Sequence, residues 1–144
     1  MNEFTNKKEW KITKTVLPQH ADHAGVMWHG SYHNWLEEAR IYALSQVGLD
    51  YKQISLEGFE IPVINSQIKY ISPLSLGDNV LLENYVIQGK GPRLQFQTRF
   101  LNQSNQIAST SIVDLVLINR ERFTIVRKPP NHISHAFLEL IEGP

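Results

Sequence analysis

The hydrophobic pattern changes period twice along this chain, and each change marks an element. At the start, Trp10, Ile12 and Val16 alternate against lysines and threonines, which predicts a strand over Trp10 to Leu17 closed by Pro18. Residues 19 to 30 keep no period, are polar and contain glycine, and read as a loop. Then Tyr32, Trp35, Leu36, Ala39, Tyr42, Ala43 and Val47 recur at spacings of three and four, one stripe of a long helix. Ser31 is placed to cap that helix and Gly48 to end it in a left-handed turn. Glu37, Glu38 and Arg40 lie mostly off the stripe, and Asp50 to Glu57 predicts a short second helix stopped by Gly58.

From Pro62 the period becomes two. Ile64, Ser66, Ile68 and Tyr70 face opposite to Asn65, Gln67 and Lys69 in a strand that ends at Ser72-Pro73. The turn Leu76-Gly77-Asp78-Asn79 leads to a strand from Val80 to Gln88, and Gly89-Lys90-Gly91-Pro92 turns the chain again. Leu94, Phe96, Thr98 and Phe100 alternate with Arg93, Gln95, Gln97 and Arg99; after Asn102-Gln103-Ser104-Asn105 comes a long strand, Ile107 to Asn119. Residues 123 to 127 predict a last short strand and His132 to Glu142 a terminal helix. Short turns make antiparallel neighbours, so the pattern implies one α+β domain over residues 1–144, its antiparallel sheet of five to six strands wrapped around a long central helix.

Composition removes several function classes. Fourteen basic side chains balance fourteen acidic ones, which argues against a nucleic-acid binder relying on a general positive field. The chain has no cysteine, which excludes disulfides, zinc–thiolate sites and cysteine nucleophiles. The two lysines near the start precede no apolar stretch, and no segment has the apolar length needed to cross a bilayer. The expectation is a soluble, cytoplasmic protein with no membrane partner.

One segment concentrates chemistry. Residues 20 to 33, HADHAGVMWHGSYH, hold four of the six histidines and Asp22. His29 and His33 are four apart, a usable ligand spacing on a helix, but Gly30 stands where the zinc-protease pattern needs a glutamate, and no metal site is assigned. A second reading makes Asp22 catalytic. A carboxylate just before a helix lies near backbone N–H groups without intrahelical partners, and such groups, with the helix dipole, stabilise an oxyanion. Carboxylate and oxyanion hole suffice for a thioester, whose thiol, with a pKa of roughly 8.5, leaves without a general acid. Loop aspartates also serve simply to accept local backbone donors, and spacing does not separate these roles.

Asp22-x-x-Gly25-Val26-Met27-Trp28-His29-x-x-Tyr32, running into Trp35-Leu36-Glu37-Glu38-Ala39-Arg40, resembles the signature of hot-dog-fold acyl-CoA thioesterases of the 4-hydroxybenzoyl-CoA thioesterase and YbgC-like group. Ile68-Lys69-Tyr70-Ile71-Ser72-Pro73 with Leu76-Gly77-Asp78 is similar to the family's strand-to-turn passage, so the likeness spans roughly residues 10 to 130. It implies a hot-dog fold and a cofactor-free hydrolase of acyl-CoA or aroyl-CoA. Asp22 is matched to the nucleophile or base, and the His29 N–H to the group polarising the carbonyl. The resemblance further implies that the His29 side chain orients substrate or water and that Gly25, Val26, Trp28 and Tyr32 lie beside the substrate, although Tyr32 and Trp35 read first as core residues of the helix stripe. Lys90 and Arg93, with Arg127 and Lys128 after the last strand, are candidates for the coenzyme A phosphates. His20, His23 and His33 carry no family role and read as exposed.

The chain departs from the family in having His20-Ala21-Asp22 where Asp-Thr-Asp is frequent, Ser31 where asparagine is common, and Trp28 for tyrosine or phenylalanine. The family further implies a homodimer or homotetramer with sites across the interface. A non-hydrolytic acyl-thioester binder and an enzyme acting on acyl-carrier-protein thioesters are the alternatives. The His-Phe-Pro-type motif of hot-dog dehydratases is missing.

Overall fold

In the computed structural model, which describes residues 8–144, the elements follow in the order β1 (Trp10–Thr15), α1 (His29–Gln46), α2 (Tyr51–Leu56), β2 (Phe59–Glu60), β3 (Val63–Tyr70), β4 (Asn79–Gln88), β5 (Leu94–Leu101), β6 (Ile107–Leu115), β7 (Ile118–Asn119), β8 (Thr124–Ile125) and α3 (Asn131–Glu142). Five strands form an antiparallel sheet in the order β1-β4-β5-β6-β3, and β2, β7 and β8 form a small second sheet. The stripe of α1 is buried through Tyr32, Trp35, Leu36, Ala39, Ala43 and Leu44, in one cluster with Val80, Leu82, Phe96, Phe100 and Val113 of the sheet. This is the hot-dog arrangement. α3 closes the core with Ile133, Ala136 and Leu140, and Trp10 Nε1–H donates to the Leu140 carbonyl at 3.0 Å.

Several boundaries differ from the sequence reading for physical reasons. Ser31 does not cap α1: its hydroxyl donates to the His20 carbonyl at 3.0 Å, and the helix starts earlier with Trp28 at the cap position. Tyr42 turns largely to solvent and Leu44 takes its place in the core, because the buried stripe centres on Trp35, Ala39 and Ala43. Gly48 ends the helix as read, with φ +81°. The first strand stops at Thr15 because the Val16 N–H turns to the Asp78 carbonyl at 2.9 Å. The long last strand divides at residues 116–117. Ile118 and Asn119 leave the main sheet to pair with both β2 and β8.

Strand β3 lies at the sheet edge. Ser66, Ile68 and Tyr70 share a face as read, opposite Val113, Ser111 and Ser109 of β6. Ile64 departs from that face because the ladder skips it between Val63 and Asn65, a bulge that shifts the two-residue alternation. Val63, Ile64, Tyr70 and Ile71 remain exposed along this edge.

Candidate active site

The loop between β1 and α1 is held to the β3–β4 connection by a short backbone ladder. Met27 N–H donates to the Leu74 carbonyl at 2.7 Å, Leu76 N–H to the Gly25 carbonyl at 2.9 Å, and Val26 bridges Ser75. Gly25 makes the sharp turn possible: its φ of +77° is one that a side chain would strain. The loop therefore presents its side chains from a rigid base.

Asp22 is exposed and works on its own loop. Its Oδ1 accepts the Ala24 N–H at 2.8 Å and the Val26 N–H at 3.3 Å. The other carboxylate oxygen has no partner among the described residues. At the start of α1 the His29 N–H likewise donates to no described residue, and the Gly25 carbonyl, four residues back, accepts from Leu76. An 18-residue helix puts its positive end at this point. A free carboxylate oxygen and a free helix-terminal N–H thus flank one short loop, and that pair can activate water and hold an oxyanion.

Beside them opens a cleft of about 340 Å³ with a mostly apolar wall, lined by Val26, Met27, His29, Tyr32, Tyr70, Ile71, Ser72 and Pro73. The structure thus gathers Val26, His29 and Tyr32, with Asp22 joined to Val26 by hydrogen bonds. Tyr32 is core and wall at once, its ring tilted on Phe100 at 5.2 Å and edge-on to Tyr70 at 5.0 Å. Burial, with a smaller contribution from Tyr70, pushes its phenol up to about 12.

Other candidates lie elsewhere. Trp28, 48% exposed, faces a separate polar hollow with Gln19, His20, Asn34 and Glu37, and its ring lies against His29 at 5.1 Å. Gly30 leaves room for that ring, which a Cβ at Gly30 would strike. His20 corrects the sequence reading: it is 8% exposed, edge-on to Trp35 at 5.2 Å, its Nδ1 accepting the Leu17 N–H at 3.0 Å. Apolar neighbours in the fold, invisible in a polar loop sequence, bury it. His23 and His33 are exposed, and no three His, Asp or Glu side chains converge as a metal-binding group among the described residues.

Lys90 and Arg93 sit at the β4–β5 turn. Arg93 reaches Asp114 on the outer sheet face at 3.4 Å, while Gly91, Pro92 and Arg127 line one groove against α3. Sequence reasoning missed the far wall of the cleft, Tyr70 to Pro73. The signal was a strand ending in proline, but which loop that strand end would meet is set by the fold.

The family model for the thioesterase-like superfamily matches residues 16–137. A 1,4-dihydroxy-2-naphthoyl-CoA hydrolase of Thermosynechococcus vestitus is 29% identical over 116 residues, 78% of this chain and 80% of that protein. The crystal structure of a 1,4-dihydroxy-2-naphthoyl-CoA thioesterase from Synechocystis has a TM-score of 0.83 at 21% identity, covering 92% of this chain and 97% of that one. A Staphylococcus aureus protein, SAV2348, solved in complex with CoA, has a TM-score of 0.82 at 21% identity, covering 99% and 90%. Those two structures share the fold. With the family match across all the elements that build the site, the chain belongs to the thioesterase-like superfamily.

Proposed function

We propose that this protein hydrolyses the thioester bond of an acyl- or aroyl-coenzyme A, without a cofactor. The observation that carries the reading is an apolar cleft lined by Val26 and His29, with the His29 N–H uncommitted and Asp22, hydrogen-bonded to Val26, keeping one carboxylate oxygen uncommitted. The acyl group lies in the cleft. The carbonyl oxygen accepts from the His29 N–H, whose hydrogen bond strengthens as negative charge develops on that oxygen. Asp22 attacks the carbonyl carbon itself or takes a proton from the water that does. The carbon–sulfur bond then breaks and the thiolate leaves. Where water attacked, the free acid forms directly and the proton held by Asp22 passes to the thiolate; where Asp22 attacked, the acyl–Asp22 anhydride is then hydrolysed by water, which releases the acid, restores the carboxylate and supplies the thiolate's proton.

Membership of the superfamily supports the reaction class, and the CoA bound to the Staphylococcus aureus neighbour supports the thioester's thiol half. Gly25 and Val26 shape the loop beside the carbonyl, Trp28 flanks the His29 ring, and Lys90 and Arg93 offer cations for the nucleotide phosphates. The exposed apolar edge of β3 supports a homodimer built by pairing two such edges, because an open edge of this kind otherwise invites uncontrolled strand addition.

The test is thiol release from a panel of acyl- and aroyl-CoAs by wild type and Asp22→Asn, with light scattering to give the oligomeric state. Release that falls at least ~10²-fold in the variant supports the assignment. Equal rates in the two proteins would sink it.

A further inference from the structure

The cleft is apolar apart from very few groups, and one of these stands out. Tyr32 is 3% exposed, yet its hydroxyl takes no hydrogen bond from any described residue. It is not sealed in either: among the described residues, the sealed side-chain polar atoms without a partner are Trp35 Nε1, Arg99 Nε and Ser111 Oγ. The hydroxyl therefore opens on the cleft that its ring lines. A phenol held this way, with its ring fixed between Phe100 and the edge-on Tyr70, is an aimed donor with nothing to bond.

We infer that the Tyr32 hydroxyl reads an oxygen substituent on a compact acyl group, with the Tyr70 ring as the wall that group packs against. The inference rests on the thioesterase reading of this site. Three points support it. A buried donor in a mostly apolar wall discriminates strongly, because a substrate lacking its partner leaves it desolvated and unpaired; the other polar side chains on that wall, His29, Tyr70 and Ser72, are more open to solvent. Burial keeps the phenol protonated to about pH 12, so it remains a donor throughout the working range. The volume of about 340 Å³ is near the low end of the ~300–1,000 Å³ of small-molecule sites, which suits a compact group better than a long chain. Tyr70, 55% exposed on the edge strand, adds a ring edge or face to one side, a contact that favours planar groups.

The experiment compares matched thioesters that differ by one hydroxyl: 4-hydroxybenzoyl-CoA against benzoyl-CoA, and 3-hydroxybutyryl-CoA against butyryl-CoA. Wild type should favour the hydroxylated member of at least one pair by ~10-fold or more in kcat/KM. Tyr32→Phe, whose melting curve verifies folding, should bring that ratio to within ~2-fold of unity, whatever its absolute rate. No preference in wild type, or a preference that survives in Tyr32→Phe, overturns the inference. Should wild type release thiol from none of the four, the hydrolase reading itself fails. Calorimetric titration with the same pairs, as non-hydrolysable CoA thioethers, then tests the inference separately. A hydroxyl preference in affinity that Tyr32→Phe abolishes upholds it, and equal affinities overturn it.

Discussion

Asp22 and Val26 hold each other from both sides: the Asp22 N–H donates to the Val26 carbonyl at 2.8 Å, and the Val26 N–H to Asp22 Oδ1 at 3.3 Å. The residue proposed to do the chemistry therefore also shapes the loop, and the two roles separate by substitution. Asp22→Asn keeps an oxygen for the Ala24 and Val26 N–H groups, so turnover should fall at least ~10²-fold with the melting temperature nearly unchanged. Asp22→Ala removes the acceptor as well and should cost about 1 kcal/mol of stability in addition. Thiol release and thermal melting on both variants check this.

Gly30 and Trp28 make a second such pair. A methyl group at Gly30 meets the Trp28 ring, and that ring is exposed enough to swing away. Gly30→Ala should leave stability equal or raised by up to ~1 kcal/mol, since alanine suits a helix better than glycine. It should also alter the Trp28 emission, with Trp28→Phe as the reference spectrum. If Trp28 flanks bound substrate, KM rises several-fold in both variants.

Lys90 and Arg93, neighbours on one turn, should behave differently. Arg93 reaches Asp114, which is buried and also accepts from Asn65 Nδ2 at 3.2 Å and Gln95 Nε2 at 2.9 Å. Arg93→Gln should lower stability, by at most ~1 kcal/mol because the arginine is itself partly exposed. Lys90→Gln should leave the melting temperature unchanged. If Lys90 meets the coenzyme A phosphates, its loss raises KM and flattens the dependence of KM on salt, with little change in kcat.

Glu57, at the end of α2, accepts from or pairs with His132 Nε2 at 2.7 Å, tying α2 to the start of α3. Its carboxyl is held below its ordinary value, first by the His132 hydrogen bond and then by that from Gln53. A carboxylate lowered in the fold contributes stability above its unfolded pKa and loses it as pH falls through the folded value. Wild type should therefore melt above Glu57→Gln at about pH 6, with the gap closing as pH falls below about 4. A gap that widens in acid would reverse the sign. Melting curves across this range measure it.

Legibility in the sequence differs from residue to residue. The α1 stripe was legible because a 3.6-residue period with tryptophan, leucine and alanine has one way to be buried on a sheet. Gly48 was legible as a local backbone requirement at the end of α1. Asp22 was legible as a candidate through motif and position. His20 was misread, since a histidine among polar neighbours looks exposed until Trp35 is brought over it. Ser31 was misread because its acceptor, the His20 carbonyl, lies eleven residues back across a folded loop.

By itself, then, the sequence determined what short-range periodicity and local sterics determine: which main segments are helix or strand, and which loop carries a carboxylate into a helix start. The tertiary structure alone decided what lies across from that loop. Tyr70 to Pro73 come from a strand some forty residues downstream, and only the ladder joining Met27 to Leu74 brings them up as the far wall of the cleft. It also set the Tyr32 ring in the wall of that cleft, against Tyr70 and Phe100. Periodicity assigns a face to a side chain; what that face meets follows from long-range pairing, which no local window of sequence contains.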